Sequence, residues 1–200
     1  MNRKTFAMWT MMLLMLVLAA CNNQMDEGTT KDNAALSDSD VETATASSEQ
    51  AETLRATLIN REGAEVGTVD LQEGVEGVKI TVEAQGLPPG LHGFHIHEKG
   101  ACDPPEFKSA GEHFNPTEAD HGFDHPKGPH AGDLLNLNVA ADGTASAEFL
   151  NDMVTLREGA ANSLLKEGGT SFVIHAKPDD YVSQPSGDAG DRIACGVIKQ

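Results

Sequence analysis

Eight histidines fall between positions 92 and 175, and their spacing is the first sign of chemistry in the chain. In His92-Gly93-Phe94-His95-Ile96-His97 an extended backbone turns alternate side chains to opposite faces. His95 and His97 then share one face and can share one metal ion, while His92 points with Phe94 and Ile96 to the other. For His92 the expectation is an inward imidazole satisfied by backbone hydrogen bonds. In Ser171-Phe172-Val173-Ile174-His175 the same parity sends Phe172 and Ile174 to a core and leaves His175 free to join the pair. Between these runs, residues 99–133 are rich in Gly, Pro and His and carry His113, His121, His130 and Asp133, with His125 as an extra. Neutral imidazoles with one carboxylate suit zinc or copper, whereas hard cations take oxygen shells. Three histidines and one aspartate make a closed tetrahedral set of the kind that holds a structural zinc. Gly111, Gly122, Gly128 and Gly132, with Pro116, Pro126 and Pro129, let such a segment wrap around an ion. A solvated surface loop accounts for any one of these residues, but not for the whole set beside a His-x-His strand.

The elements that must hold these side chains read as short strands. Period-2 alternation recurs at residues 54–60, 65–71, 75–85, 91–98, 135–139, 145–150, 171–176 and 193–198. Turn signals separate them, among them Arg61-Glu62-Gly63, Gly86-Leu87-Pro88-Pro89-Gly90 and Ala141-Asp142-Gly143. Eight short strands with almost nothing helical predict an all-β, antiparallel eight-stranded sandwich or flattened barrel. Residues 99–133 and 178–192 exceed ordinary connections. Loops of that length in a compact domain are usually functional and need staples to stay ordered.

The chain has 200 residues, room for one medium domain with a real core plus accessory segments. With 14 Lys and Arg against 31 Asp and Glu, the net charge is -17, and no basic cluster exceeds a dipeptide. That excludes nucleic acid and anionic headgroups as electrostatic partners. Residues 1–20, with Arg3 and Lys4 ahead of an apolar run, read as a secretory signal peptide too short for a stable membrane span. Leu18-Ala19-Ala20-Cys21 resembles a bacterial lipobox, in which Cys21 carries the lipid and anchors the chain to a membrane. Residues 21–52 lack hydrophobic periodicity and carry eight acids against one Lys, the composition of a flexible acidic tether. Residues 53–200 remain as the folded domain, with a net charge of -12. The single Trp, Trp9, lies in the signal together with Phe6, so the core must come from aliphatic residues and the other six Phe. Cys102 and Cys195 are the two remaining cysteines and the candidates for a disulfide in an exported, oxidising setting, with two buried thiols as the alternative.

Five segments in order, His92 to Glu98, Ser109-Ala110-Gly111-Glu112-His113-Phe114-Asn115-Pro116, Gly128-Pro129-His130-Ala131-Gly132-Asp133-Leu134, His175-Ala176-Lys177-Pro178-Asp179-Asp180 and Ala189-Gly190-Asp191-Arg192-Ile193-Ala194-Cys195-Gly196-Val197, resemble copper/zinc superoxide dismutase. The resemblance spans essentially residues 53–200 and implies a Greek-key β fold, itself an example of the sandwich architecture. It implies one copper and one zinc ion per subunit. Copper falls to His95, His97, His113 and His175, and zinc to His113, His121, His130 and Asp133, with the His113 ring bridging both. His121 is preferred to His125 because its eight-residue step from His113 matches the family. Asp180 resembles the carboxylate that joins the free ring nitrogens of His95 and His121, and Arg192 the guanidinium that guides the anion. Cys102 and Cys195 fit the family disulfide.

The implied activity is disproportionation of two superoxide anions to dioxygen and hydrogen peroxide, with His113 and Arg192 as catalytic groups, in a monomer or homodimer. An exported copper- or zinc-binding protein without turnover is the alternative. The segment 181–192 is short and has no Lys, and Asp191 places a negative charge next to Arg192. Both features weaken the expected steering of an anion, with Lys177 the only other nearby cation in that stretch.

Overall fold

The computed structural model describes residues 53–200. The proposed signal, Cys21 and the tether lie outside the described residues. Within them are nine strands: β1 (Thr53–Asn60), β2 (Glu65–Glu73), β3 (Val78–Ala84), β4 (Gly90–His92), β5 (Phe94–His97), β6 (Leu137–Val139), β7 (Ala145–Asn151), β8 (Thr170–His175) and β9 (Arg192–Ile198). A curled antiparallel sheet runs in the order β5-β8-β9-β1-β2-β3-β7, and β4 pairs with β6 in a small second sheet. This is the all-β Greek-key class that the sequence predicts. Alternation explains the strands: in β3, Val78, Ile80, Val82 and Ala84 are buried while Lys79 and Glu83 face solvent. Leu58, Val69, Leu71, Ile80, Phe94, Ile96, Phe172, Ile174 and Ile198 fill the core, where Phe94 stacks on Phe172 at 5.3 Å.

Most strand ends fall within a residue or two of the sequence reading, and three differences have a local reason. The run 91–98 is two strands, because the chain changes sheets at Gly93: His92 pairs with Leu137 of β6, whereas Phe94 pairs with Ile174 of β8. A side chain at Gly93 would sit 2.8 Å from the Ala189 Cβ and 3.1 Å from His95 Cε1, so the crossing needs glycine. β3 begins at Val78 and not at Val75, because the Gly74 amide closes a turn on the Gly77 carbonyl at 2.8 Å. β6 begins at Leu137 because the Asn136 amide donates to the Tyr181 hydroxyl and its side chain binds the backbone of Asp179.

The loop 98–136 is held to the sheet at two places, the interior strand β9 and the edge strand β5. Cys102 and Cys195 form a disulfide with Cα atoms 5.7 Å apart, closing a span of 93 residues. In the chain-entropy view such a closure contributes up to about 4 to 5 kcal/mol. Beside it, Phe107, Ala110, Val173 and Cys195 form a second small core, entered by a 3-10 turn, Lys108–Ala110, that the alternation pattern did not anticipate. On the free edge of β5, the Ile96 amide donates to the Gly132 carbonyl and the Phe114 amide donates to the Ile96 carbonyl, both at 2.8 Å. These contacts lay His113 and Asp133 against His97 and His95 as isolated bridges.

Candidate metal centre

Strand register supplies the first three histidines. His95 faces Val173 and His97 faces Ser171 across β5 and β8, while the His175 amide donates to the Gly93 carbonyl. A register shift between Ile174 and His175 sets His175 opposite Arg192 at the start of β9. The loop edge adds His113, whose ring centroid lies 4.1 Å from that of His95 and 5.0 Å from that of His97. One donor atom from each of His95, His97, His113 and His175 falls within a 4.8 Å cluster, and a second such cluster joins His113, His121, His130 and Asp133. All seven residues are buried.

The hydrogen bonds show which nitrogen of each ring is free. His95 Nε2 donates to Asp179 Oδ2 at 2.7 Å, His97 Nδ1 to the Gly111 carbonyl at 2.9 Å, His121 Nε2 to Asp179 Oδ1 at 3.0 Å and His175 Nδ1 to the Gly190 carbonyl at 3.2 Å. The opposite nitrogens, His95 Nδ1, His97 Nε2, His121 Nδ1 and His175 Nε2, are buried without a hydrogen-bond partner, and so is His113 Nε2. Buried polar atoms are normally paired. Four of these lone pairs converge in the first cluster and that of His121 faces the second, and rings held in this way through their other nitrogen make the arrangement that bound metal ions complete.

The second cluster has tetrahedral dimensions. His113 Nδ1 lies 2.8 Å and His130 Nδ1 3.3 Å from Asp133 Oδ1, His121 Nδ1 lies 3.0 Å from Asp133 Oδ2, and the His113 and His130 Nδ1 atoms are 3.5 Å apart. Ligands about 2.0 Å from a tetrahedral ion stand roughly 3.3 Å from one another. His113 therefore presents Nδ1 to this cluster and Nε2 to the other. Asp133 is further fixed by the Gly122 and His130 amides, at 2.9 and 3.0 Å to Oδ2.

Electrostatics favour the neutral ring at His97, His113 and His175 and the positive ring at His121. Burial, reinforced by His95, lowers the pKa of His113 to about 4 and of His175 to about 3, and burial holds His97 well below its usual value. His121 goes the other way: burial opposes its charge, but Asp133 and Asp179 outweigh that and raise its pKa to about 9. Two buried carboxylates around one ring demand a compensating cation, which a metal ion in place of the proton provides.

Asp180 does not take the role expected for it. The carboxylate that joins His95 to His121 belongs to Asp179, whose amide donates to Asn136 Oδ1 at 2.8 Å and whose Oδ1 accepts from the Tyr181 amide at 2.6 Å. Asp180 instead points to solvent and caps a turn, accepting the Val182 and Ser183 amides at 2.9 and 2.8 Å and the Ser183 hydroxyl. Each of the two aspartates accepts the amide two residues on, so turn chemistry alone does not tell the adjacent pair apart in the sequence. Gly187, at φ 68, is required here: a Cβ would overlap Asp179 Oδ1. His125 stays outside both clusters, 3.6 Å from Asp120. Both ring nitrogens of His92 lie 2.7 Å from backbone carbonyls, of His175 and Pro88, so it is an inward histidine.

Arg192 stands beside the first cluster. Its two terminal nitrogens donate to the Phe107 and Gly111 carbonyls, both at 2.7 Å, and the Gly111 oxygen is the one that also holds His97. Two cations missed by the sequence reading, Arg61 and Lys108, line a cleft with Arg192 and Asp191, so Lys177 is not the only other positive group near the site.

A Greek-key β protein with paired histidine clusters sharing one ring defines a class of binuclear metalloprotein. Residues 65–198 match the family model described as copper/zinc superoxide dismutase (SODC). The chain is 52% identical over 145 residues to Superoxide dismutase [Cu-Zn] 1 of Aquifex aeolicus, covering 72% of this chain and 86% of that one. Among solved structures it is similar to a SOD-like protein from Bacillus subtilis, at 44% identity and a TM-score of 0.70 over 72% of this chain and 97% of that one. It is also similar to the Cu/Zn superoxide dismutase from Brucella abortus, at 31% identity and a TM-score of 0.61 over 74% and 99%. The chain belongs to the copper/zinc superoxide dismutase family, and its cofactors are one copper and one zinc ion per subunit.

Replacing Asp179 by Asn should weaken metal retention about 10- to 100-fold in a chelator competition titration, since groups behind the ligands typically act on that scale. Asp180→Ala should leave retention within a few-fold of wild type. Equal losses in the two variants would contradict the assignment.

Proposed function

We infer that the protein is a copper/zinc superoxide dismutase, an oxidoreductase that converts two superoxide anions and two protons to dioxygen and hydrogen peroxide. The observation that carries this reading is the split of His113 between two clusters of different chemistry, one all-imidazole and one with a carboxylate. His95, His97, His113 and His175 would hold copper through the free nitrogens described above. His113, His121, His130 and Asp133 would hold zinc. Bound copper supplies a one-electron redox change between its cupric and cuprous states, and zinc keeps the shared ring in place.

The chain's own residues do the rest. His113 holds a proton at Nε2 between the oxidative and reductive halves of the cycle and passes it to the forming peroxide, which takes its second proton from solvent, while Nδ1 stays directed at the second cluster. Asp179 prevents His95 and His121 from rotating, and the Gly111 and Gly190 carbonyls do the same for His97 and His175. Arg192 offers a positive charge whose backbone anchors leave part of the guanidinium free for an anion. Storage of metal without turnover has no use for such a group.

The same reading extends to the chain before residue 53. Residues 1–20 are a signal peptide, and Cys21 carries a lipid that holds the exported protein to a membrane of the cell envelope through the acidic tether 21–52. The Cys102–Cys195 disulfide fits an oxidising compartment.

Three outcomes test these assignments. Asp133→Ala should release zinc and retain copper, and His175→Ala should do the reverse, by metal analysis of the purified variants; parallel loss of both metals in both would refute the two-site division. Arg192→Ala should lower kcat/KM for superoxide about tenfold with metal content unchanged, and Arg192→Glu should lower it further, a cost of about 1 to 2 kcal/mol for one charge-assisted contact. Undiminished rates would remove Arg192 from the mechanism. Cys21→Ser should shift the protein from the membrane to the soluble fraction of the producing cell, or leave it unprocessed, with the domain intact; normal processing with unchanged partitioning would dismiss the lipid anchor.

A further inference from the structure

Asp191 poses a problem that the fold answers from an unexpected place. It directly precedes Arg192, is 79% exposed on its side chain, and lines the same cleft of about 320 Å³ as Arg192. An unpaired carboxylate there repels the anion that Arg192 is meant to attract. Arg61, at the first turn of the described residues and 130 positions before Asp191, lies across the cleft with Nη1 3.6 Å from Asp191 Oδ2. Its Nε donates to the Pro105 carbonyl at 3.2 Å, which fixes the direction of the guanidinium. Other charges nearby follow the same pattern: Lys108 pairs with Glu106 at 2.6 Å and Lys177 with Asp188 at 3.9 Å. Arg192 is different. Its terminal nitrogens are taken up by carbonyls, and among the described residues no carboxylate lies within ion-pair distance of it.

We propose that Arg61 is a positioning residue for the anion path: it cancels Asp191, so that this adjacent carboxylate does not offset the positive charge that Arg192 presents at the cleft. The inference rests on the superoxide dismutase reading and on copper occupying the four-histidine cluster. Exposed pairs contribute little to folding, typically less than about 1 kcal/mol, so this pair has little value as a staple. Its effect falls on a third charged body, the approaching anion, and is carried through water and screened by salt.

The test uses the full-length, metal-loaded protein and azide, a small monoanion, titrated by the visible copper spectrum, alongside kcat/KM for superoxide as a function of ionic strength. Arg61→Ala should weaken azide binding and lower kcat/KM roughly twofold to threefold at low salt, the scale of one surface charge acting through water. The difference should vanish near 1 M salt, where the Debye length is about 3 Å. Adding Asp191→Asn to Arg61→Ala should restore both values, and Arg61→Lys should preserve most of them. If Arg61→Ala does not fold, Asp191→Asn alone carries the test, and it should tighten azide binding. Unchanged azide affinity in fully metallated Arg61→Ala would overturn the proposal. So would a loss that neither salt nor Asp191→Asn reverses, which would mark a structural role through Pro105, and so would a wild type that takes up no azide. A metallated wild type that binds azide but consumes no superoxide would instead overturn the enzymatic reading, leaving the Arg61 comparison decided by azide.

Discussion

One buried carboxylate, that of Asp179, ties together three parts of the chain that share no strand pairing. Oδ2 accepts from His95 on the edge strand β5, Oδ1 accepts from His121 in the long loop, and Asn136 grips its backbone from the start of β6. Such a group is tolerable in a core only with both oxygens satisfied, because an unpaired buried charge costs several kcal/mol. Its hydrogen bonds therefore constrain the histidines and the histidines constrain it. The glycine at 187 belongs to the same constraint, since the space that a side chain would need is occupied by the carboxylate. His95 faces one cluster and His121 the other, so one aspartate sets the orientation of a ring in each.

Much of this was legible in the chain. Period 2 located the strands, and the parity of His95 and His97 against Phe94 and Ile96 separated site from core, because a pleated backbone leaves no other choice. The metal clusters followed from residue chemistry and from family likeness. Less legible were features that depend on where the backbone goes next. Gly93 looks like any glycine inside an alternating run, yet it marks the crossing from one sheet to the other. Asp179 and Asp180 are chemically identical neighbours, and a difference of one position decided between a buried bridge and a solvent-exposed turn cap. Arg61 and Asp191 are brought together only by tertiary folding, which no local pattern encodes.

The backbone carbonyls do an unusual share of the orienting. Gly111 serves His97 and Arg192 with a single oxygen, so the ring and the guanidinium cannot shift independently. Gly190 holds His175, and the aliphatic stem of Lys177 lies against that glycine. Fixed dipoles of this kind add no net charge beside the metal cluster. They leave the local field to Arg192 and to the paired charges around it.

Tyr181 gives the protein an internal optical probe. It is the only tyrosine in the chain, and the only tryptophan, Trp9, lies before residue 53. Its hydroxyl accepts from the Asn136 amide, its ring meets Phe123 edge-on at 5.8 Å, and its own amide donates to Asp179. The near-ultraviolet emission of residues 53–200 thus comes from one phenol, two residues from the carboxylate that spans the metal clusters. Ordering or loosening of that loop can be followed in the native protein without attaching a dye.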